Sequence, residues 1–175
     1  MTFPAKVTKW LFLTMIICLF AGFLIGALAI PMLFNGKRSL RGVRVCCIVL
    51  ICLFATIIYG PSQLPSFVLQ TILFALGFFA CADILCFALA AQLSTPQTSG
   101  FIVGWVNTVN MLGLTLLQYL VAHSLDKYWS GAVNANGLRL YEARDYELAL
   151  GVLLNTVILA LCIACFMRSR NIKVK

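Results

Sequence analysis

From Trp10 to Leu33 the chain runs without a single charged side chain, and four further apolar stretches follow, at residues 45–59, 66–93, 100–122 and 148–167. A helix needs about 20 apolar residues to cross the hydrocarbon core of a bilayer. Only a helix or a closed barrel satisfies every backbone N–H and C=O there. Hydrophobic residues make up 62% of the 175 positions and charged ones 10%, and the mean hydropathy is +1.01. Soluble domains average about half and about a quarter, so a soluble fold is excluded. The expected fold is all-α: one polytopic membrane domain over residues 1–175, with five transmembrane helices. The spans and their loops use nearly all of the chain, which leaves no room for a separate catalytic or nucleic-acid-binding domain.

The formal charge of +8 does not point to nucleic acid, because the cations sit at span ends rather than on a folded basic surface. Lys37, Arg38, Arg41 and Arg44 share one short loop, and Arg168, Arg170, Lys173 and Lys175 lie in the tail at 168–175. Under the positive-inside rule both are cytoplasmic anchors. The other cations are Lys6, Lys9, Lys127, Arg139 and Arg144, the last three in a polar segment at 125–147 that also carries four acids. That segment is expected outside, with the N-terminus external and the C-terminus cytoplasmic, as in a bacterial inner (plasma) membrane protein. Ala27-Leu28-Ala29 has the form of a signal-peptidase site. The preceding run is long enough to span, however, and the four-cation loop marks that end as cytoplasmic, so the first span is expected to be retained.

Gly22 and Gly26 form a GxxxG pair in the first span, a spacing that lets helices approach closely; Pro31 is expected to kink or end that span. The eight cysteines all lie in apolar segments or at their edges, where they read as small polarizable packing residues. Cys162-x-x-Cys165 has thiol-redox spacing, but it lies near the cytoplasmic end with no second pair on an external loop, so an enzyme is not expected. His123 is the only histidine and has no second ligand-type residue beside it, so neither a metal nor another cofactor is expected.

The fourth span is apolar only in part. It holds Asn107, Thr108, Asn110, Thr115 and Gln118, together with Gly100, Gly104 and Gly113. At about 100° per residue, Gln118 lies about 20° from Asn107. Gly100, Gly104, Thr108 and Thr115 fall within about 100° on the same side, and Asn110 about 60° away on the other. Polar side chains in hydrocarbon are costly and face protein or water, so this face is expected to line a cavity or pack closely. Asp83 is the one acid inside these five stretches; it is either a proton carrier or a structural carboxyl. Because spans two and five carry little polarity, spans three and four are expected inside and spans two and five at the periphery.

These residues carry a resemblance. The run Gly100, Gly104, Asn107, Gly113, Gln118, then Leu125-Asp126, resembles the eleventh helix of bacterial major facilitator superfamily transporters. Tyr141-Glu-Ala-Arg-Asp145-Tyr146-Glu-Leu-Ala149-Leu150 resembles the approach to their twelfth, and Gly77-Phe78-Phe79 with the following Ser/Thr/Pro/Gln link resembles the tenth. The five spans would then correspond to helices eight through twelve, a partial C-terminal half-bundle. The chain departs from the family's glycine–acid–basic loop signature. Gly36-Lys37-Arg38 keeps the basic end, while Leu33 stands at the acid's place and Ala29 at the first glycine's.

The resemblance implies a truncated or split secondary transporter of a small solute, with protons as the candidate coupling ion. Asn107, Thr108, Asn110, Thr115 and Gln118 would be cavity contacts and Asp83 the proton-coupling group. A separately encoded N-terminal part or a homo-oligomer would supply the missing helices. The alternative from the residues alone is a small membrane interaction or assembly protein whose polar fourth span binds other helices.

Overall fold

The computed structural model describes residues 5–34, 39–61, 64–133, 137 and 139–167. These form six helices: α1 (Ala5–Leu33), α2 (Ser39–Tyr59), α3 (Ser66–Ala80), α4 (Ala82–Leu93), α5 (Ser99–Tyr128) and α6 (Ala143–Phe166). With α3 and α4 counted as one interrupted span, five are long and apolar enough to cross a membrane. The protein is an all-α polytopic membrane protein. Among the described residues the only β-type pairing is an isolated antiparallel bridge between Val133 and Arg139.

Several expected boundaries move. The second span begins at Ser39, not residue 45. Arg41 and Arg44 thus lie on α2, in keeping with arginine's good helix propensity and its ability to extend a charged head toward water. Lys37 and Arg38 lie outside the described residues. The third span is interrupted at Cys81, whose thiol donates to the carbonyl oxygens of Phe23 (3.0 Å) and Gly77 (3.6 Å). The irregularity is one residue long and contains no proline, and the Cys81 backbone stays in the right-handed helical region (φ −63°, ψ −1°). Pro31 stays within the last turn of α1, which ends at Leu33.

The tightest packing is between α1 and α3. Gly22, Gly26 and Gly77 are buried, and an added Cβ would overlap the carbonyl oxygens of Phe74, Phe78 and Leu19 respectively. The two backbones touch because these positions have no side chain. A small core follows at the same end of the bundle, where Ile30, Cys46, Cys81, Ala82 and Leu85 are buried together. All eight cysteines are free thiols, of which Cys46, Cys47 and Cys81 are buried.

The expected inside–outside order is corrected for the fourth span. The α1–α3 crossing and the α2–α6 pair take up the tight contacts, and among the described residues α5 packs mainly against α6 and α4. No residue of α5 is buried within this chain. The second span is not merely peripheral, since α2 contributes Cys46, Cys47 and Gly42 to the interior.

Candidate functional site

The polar residues of α5 fall into three physical groups. Thr108 and Thr115 donate their hydroxyls to carbonyls one turn back, those of Gly104 (3.0 Å) and Met111 (2.9 Å). They are satisfied by their own helix and need no neighbour. Asn110 donates its side-chain N–H to Oδ2 of Asp83 on α4 at 3.0 Å. Asn107 and Gln118 are exposed and have no side-chain partner among the described residues. Gly100, Gly104 and Gly113 face open space, where an added Cβ would meet nothing within 4 Å. The close packing expected of these three glycines therefore does not occur within this chain. The helices that could have supplied a facing backbone are engaged elsewhere.

Asp83 and Asn110 sit at matching depth. Asp83 is ten residues before Leu93 and Asn110 eleven after Ser99, so at 1.5 Å per residue each is about 15 Å from the end where α4 and α5 join. That is half of a hydrocarbon core about 30 Å thick. Asp83 lies in the first turn of α4, where the helix dipole favours a carboxylate, two residues past the interruption at Cys81. Mid-membrane polarity and an irregularity in the span thus meet at one place, with the uncovered amide of Asn107 within one turn of it.

A cavity between the helices is chemically different. A groove of about 570 Å³ runs between α1, α2, α3, α5 and α6, lined by Phe23, Phe54, Leu76, Leu117 and Leu153 among others. Its only hydroxyl, on Thr156, is bonded to the Val152 carbonyl at 2.9 Å. It offers a polar solute no directional contact.

Two features lay beyond the sequence reading. Arg44, expected as a cytoplasmic anchor, donates from Nε to the carbonyl of Ala164 (2.9 Å) and from Nη2 to that of Met167 (2.7 Å). It closes the C-terminal end of α6, where carbonyls lack intrahelical donors and the dipole favours a cation. Arg41 is exposed. The Arg44→Leu variant is expected to lose about 1.5–3 kcal/mol, the range for a hydrogen bond to a charged group. Hydrogen exchange read by mass spectrometry should show faster exchange confined to the last turn of α6; unchanged protection there would contradict the capping role.

The second feature closes the polar segment at the other end. Asp126 accepts hydrogen bonds from Arg139 and from the Tyr141 hydroxyl (3.0 Å), and the Arg139 guanidinium lies 4.7 Å from the Trp129 ring centre. The Tyr141 hydroxyl and the Asp126 carboxylate push the Arg139 guanidinium above its already high range, so it stays charged. The opposed charges flanking Asn136-Gly137, a strong hairpin signal, were the legible trace of this closure. At the start of α6, Glu142 and Asp145 form a reciprocal capping box, with Asp145 Oδ2 accepting from the Glu142 N–H at 2.9 Å. His123 stacks on Tyr119, with ring centres 5.9 Å apart. The described residues contain no group of three or more His, Cys, Asp or Glu side chains able to hold a metal ion. No protein-family model matches the chain, and no match is found among curated proteins or among solved structures.

Proposed function

We propose that this chain is the path-lining part of a secondary transporter of the major facilitator type, moving a small polar solute across the membrane. The observation that carries this reading is the juxtaposition at mid-depth: Asp83, two residues past a one-residue irregularity in its span, hydrogen-bonded to Asn110 and within one turn of the unpartnered amide of Asn107, with that of Gln118 about 12 Å farther along the same helix. Solute and ion sites of such transporters lie near the bilayer midplane and are often built from discontinuous helices. Amides left in hydrocarbon would be costly; in a water-filled path they hydrogen-bond solute or solvent.

Asn107 and Gln118 are the proposed solute contacts. Asn110 holds Asp83, the group proposed to exchange a proton. Alternating access needs one helical bundle to rock against another. A further bundle, from a separately encoded part or a second copy, would therefore face α5 and complete the path. The membrane is proposed to be a bacterial plasma membrane, with the Arg41–Arg44 end cytoplasmic.

The uncovered Gly100 and Gly104, one turn apart on the same side as Asn107, favour a second reading, in which that face binds a partner helix and moves nothing. Uptake separates the two. Cells expressing the full chain are compared with empty-vector cells across labelled sugars, amino acids, carboxylates and cationic drugs. Transport predicts expression-dependent uptake of at least one class. For Asn107→Leu, which leaves a solute polar group unpaired, the initial rate should fall about tenfold or more. An unchanged rate in that variant would remove Asn107 from the path, and helix binding predicts no expression-dependent uptake.

A further inference from the structure

At the membrane face where α2 and α5 end and α6 begins lies a cavity of about 420 Å³, distinct in place and chemistry from the mid-depth site. Three helices build it. Tyr59 ends α2, Ser124 and Tyr128 lie on the last turns of α5, and Arg144, Glu147, Gly151 and Asn155 come from α6. A smaller cavity of about 230 Å³ shares Tyr128, Arg144 and Leu148 with it.

The lining mixes charge with hydrocarbon. A guanidinium, a carboxylate and two phenols stand beside Ile58, Leu148 and Val152, with Ser124 and Asn155 farther from the membrane face. Arg144 and Glu147 make no ion pair with each other or with another described residue. Both charges are free to meet a ligand. The neighbouring acids are already engaged, since Glu142 and Asp145 satisfy each other's backbone in the capping box. Lys127 lies 5.5 Å from the centre of the Tyr128 ring, which leaves the Tyr128 hydroxyl as that residue's polar contribution. Gly151 opens the wall one turn below Glu147, and an added Cβ there would meet nothing within 4 Å.

A soluble solute would have no use for the aliphatic side chains of the lining, and a plain hydrocarbon none for its charges. An opposed pair of unpartnered charges beside aliphatic side chains, at the level where a helical span leaves the membrane, matches a zwitterionic lipid. We infer that this cavity binds one phospholipid whose headgroup carries a primary ammonium. Its phosphate is held by Arg144 and the hydroxyls of Tyr59 and Tyr128, and its ammonium by Glu147. The glycerol backbone sits in the gap at Gly151, within reach of Ser124 and Asn155. Guanidinium–phosphate and carboxylate–ammonium contacts are charge-assisted hydrogen bonds, the stronger class. A quaternary ammonium has no N–H to donate to Glu147, and an anionic glycerol headgroup would meet that carboxylate as a like charge.

The test is native mass spectrometry of the full chain in detergent, titrated separately with phosphatidylethanolamine, phosphatidylcholine and phosphatidylglycerol. Phosphatidylethanolamine is expected to bind about tenfold more tightly than the other two, the value of one charge-assisted hydrogen bond. Glu147→Gln should bring phosphatidylethanolamine down to the level of phosphatidylcholine, and Arg144→Gln should weaken all three. Gly151→Leu fills the gap and should abolish the preference while leaving the thermal midpoint in place. The Glu147→Gln change lies on an exposed position and reports on the site even if the leucine variant fails to fold. Equal binding of the three lipids, a preference for phosphatidylglycerol, or a phosphatidylethanolamine preference that survives Glu147→Gln or a folded Gly151→Leu would overturn the assignment.

Discussion

Leucine at Gly26 is expected to separate α1 from α3 and to destabilise the bundle by at least about 3 kcal/mol, the upper end for overpacking a well-filled interior. Ordinary overpacking is relieved when a neighbouring side chain changes rotamer. Here the atoms in the way are the carbonyl and Cα of Phe78 on the facing helix, so only movement of a whole helix makes room. The same holds for Gly22 against Phe74 and for Gly77 against Leu19. Moving α1 away would also open the contacts of Ile30 with Cys46, Cys81 and Leu85 and lengthen the Cys81 thiol bond to the Phe23 carbonyl. Gly104→Leu in α5 is the matched control. It makes an identical change in side chain at a position with open space around it, and should shift stability by no more than about 0.5 kcal/mol. Thermal unfolding of the two variants in one detergent decides the matter. Equal midpoints would mean that the α1–α3 crossing is not the tight interface described.

The contrast between these glycines also shows how far the sequence could be read. Gly22-x-x-x-Gly26 is a local pattern, and its meaning depends only on spacing along one helix. Its partner Gly77 lies in another span, and no local pattern joins them. The five spans were legible because the cost of an unsatisfied backbone in lipid constrains each segment independently. The interruption at Cys81 was not, since it coincides with a contact between its thiol and a carbonyl on α1 that no local pattern announces.

The amphipathic face of α5 was legible from angular spacing, and so was its unsuitability for lipid. Which element covers such a face is a tertiary question. In this chain α4 reaches it at Asn110 and leaves Asn107 and Gln118 uncovered among the described residues. Arg44 shows the same limit, since a cation near a span end is an anchor by pattern. Only the approach of α2 to the end of α6 makes it a cap.

Asp83 and Asn110 were each recognisable as costly in a membrane; their pairing required α4 and α5 to meet at one depth. That pairing has a measurable consequence. Asn110→Leu removes the donor that Asp83 Oδ2 accepts from at 3.0 Å, and is expected to cost about 1–3 kcal/mol, the penalty for a polar group left without its partner. Asp83→Leu strands the Asn110 amide and should cost a similar amount. In the double variant both polar groups are gone and two leucines can pack, so its loss should fall short of the sum of the singles by about 1 kcal/mol or more. Asp83→Asn keeps an acceptor oxygen for the Asn110 N–H and should retain most of the stability, while removing the group proposed to take up a proton. Stability and transport should therefore separate in that one variant, with the fold kept and proton-driven uptake lost. A double-mutant cycle on unfolding in detergent measures the first part, and additive losses would mean that water has replaced the pair. Proton-driven uptake by Asp83→Asn measures the second, and undiminished transport would leave Asp83 with a structural role at the junction of α4 and α5.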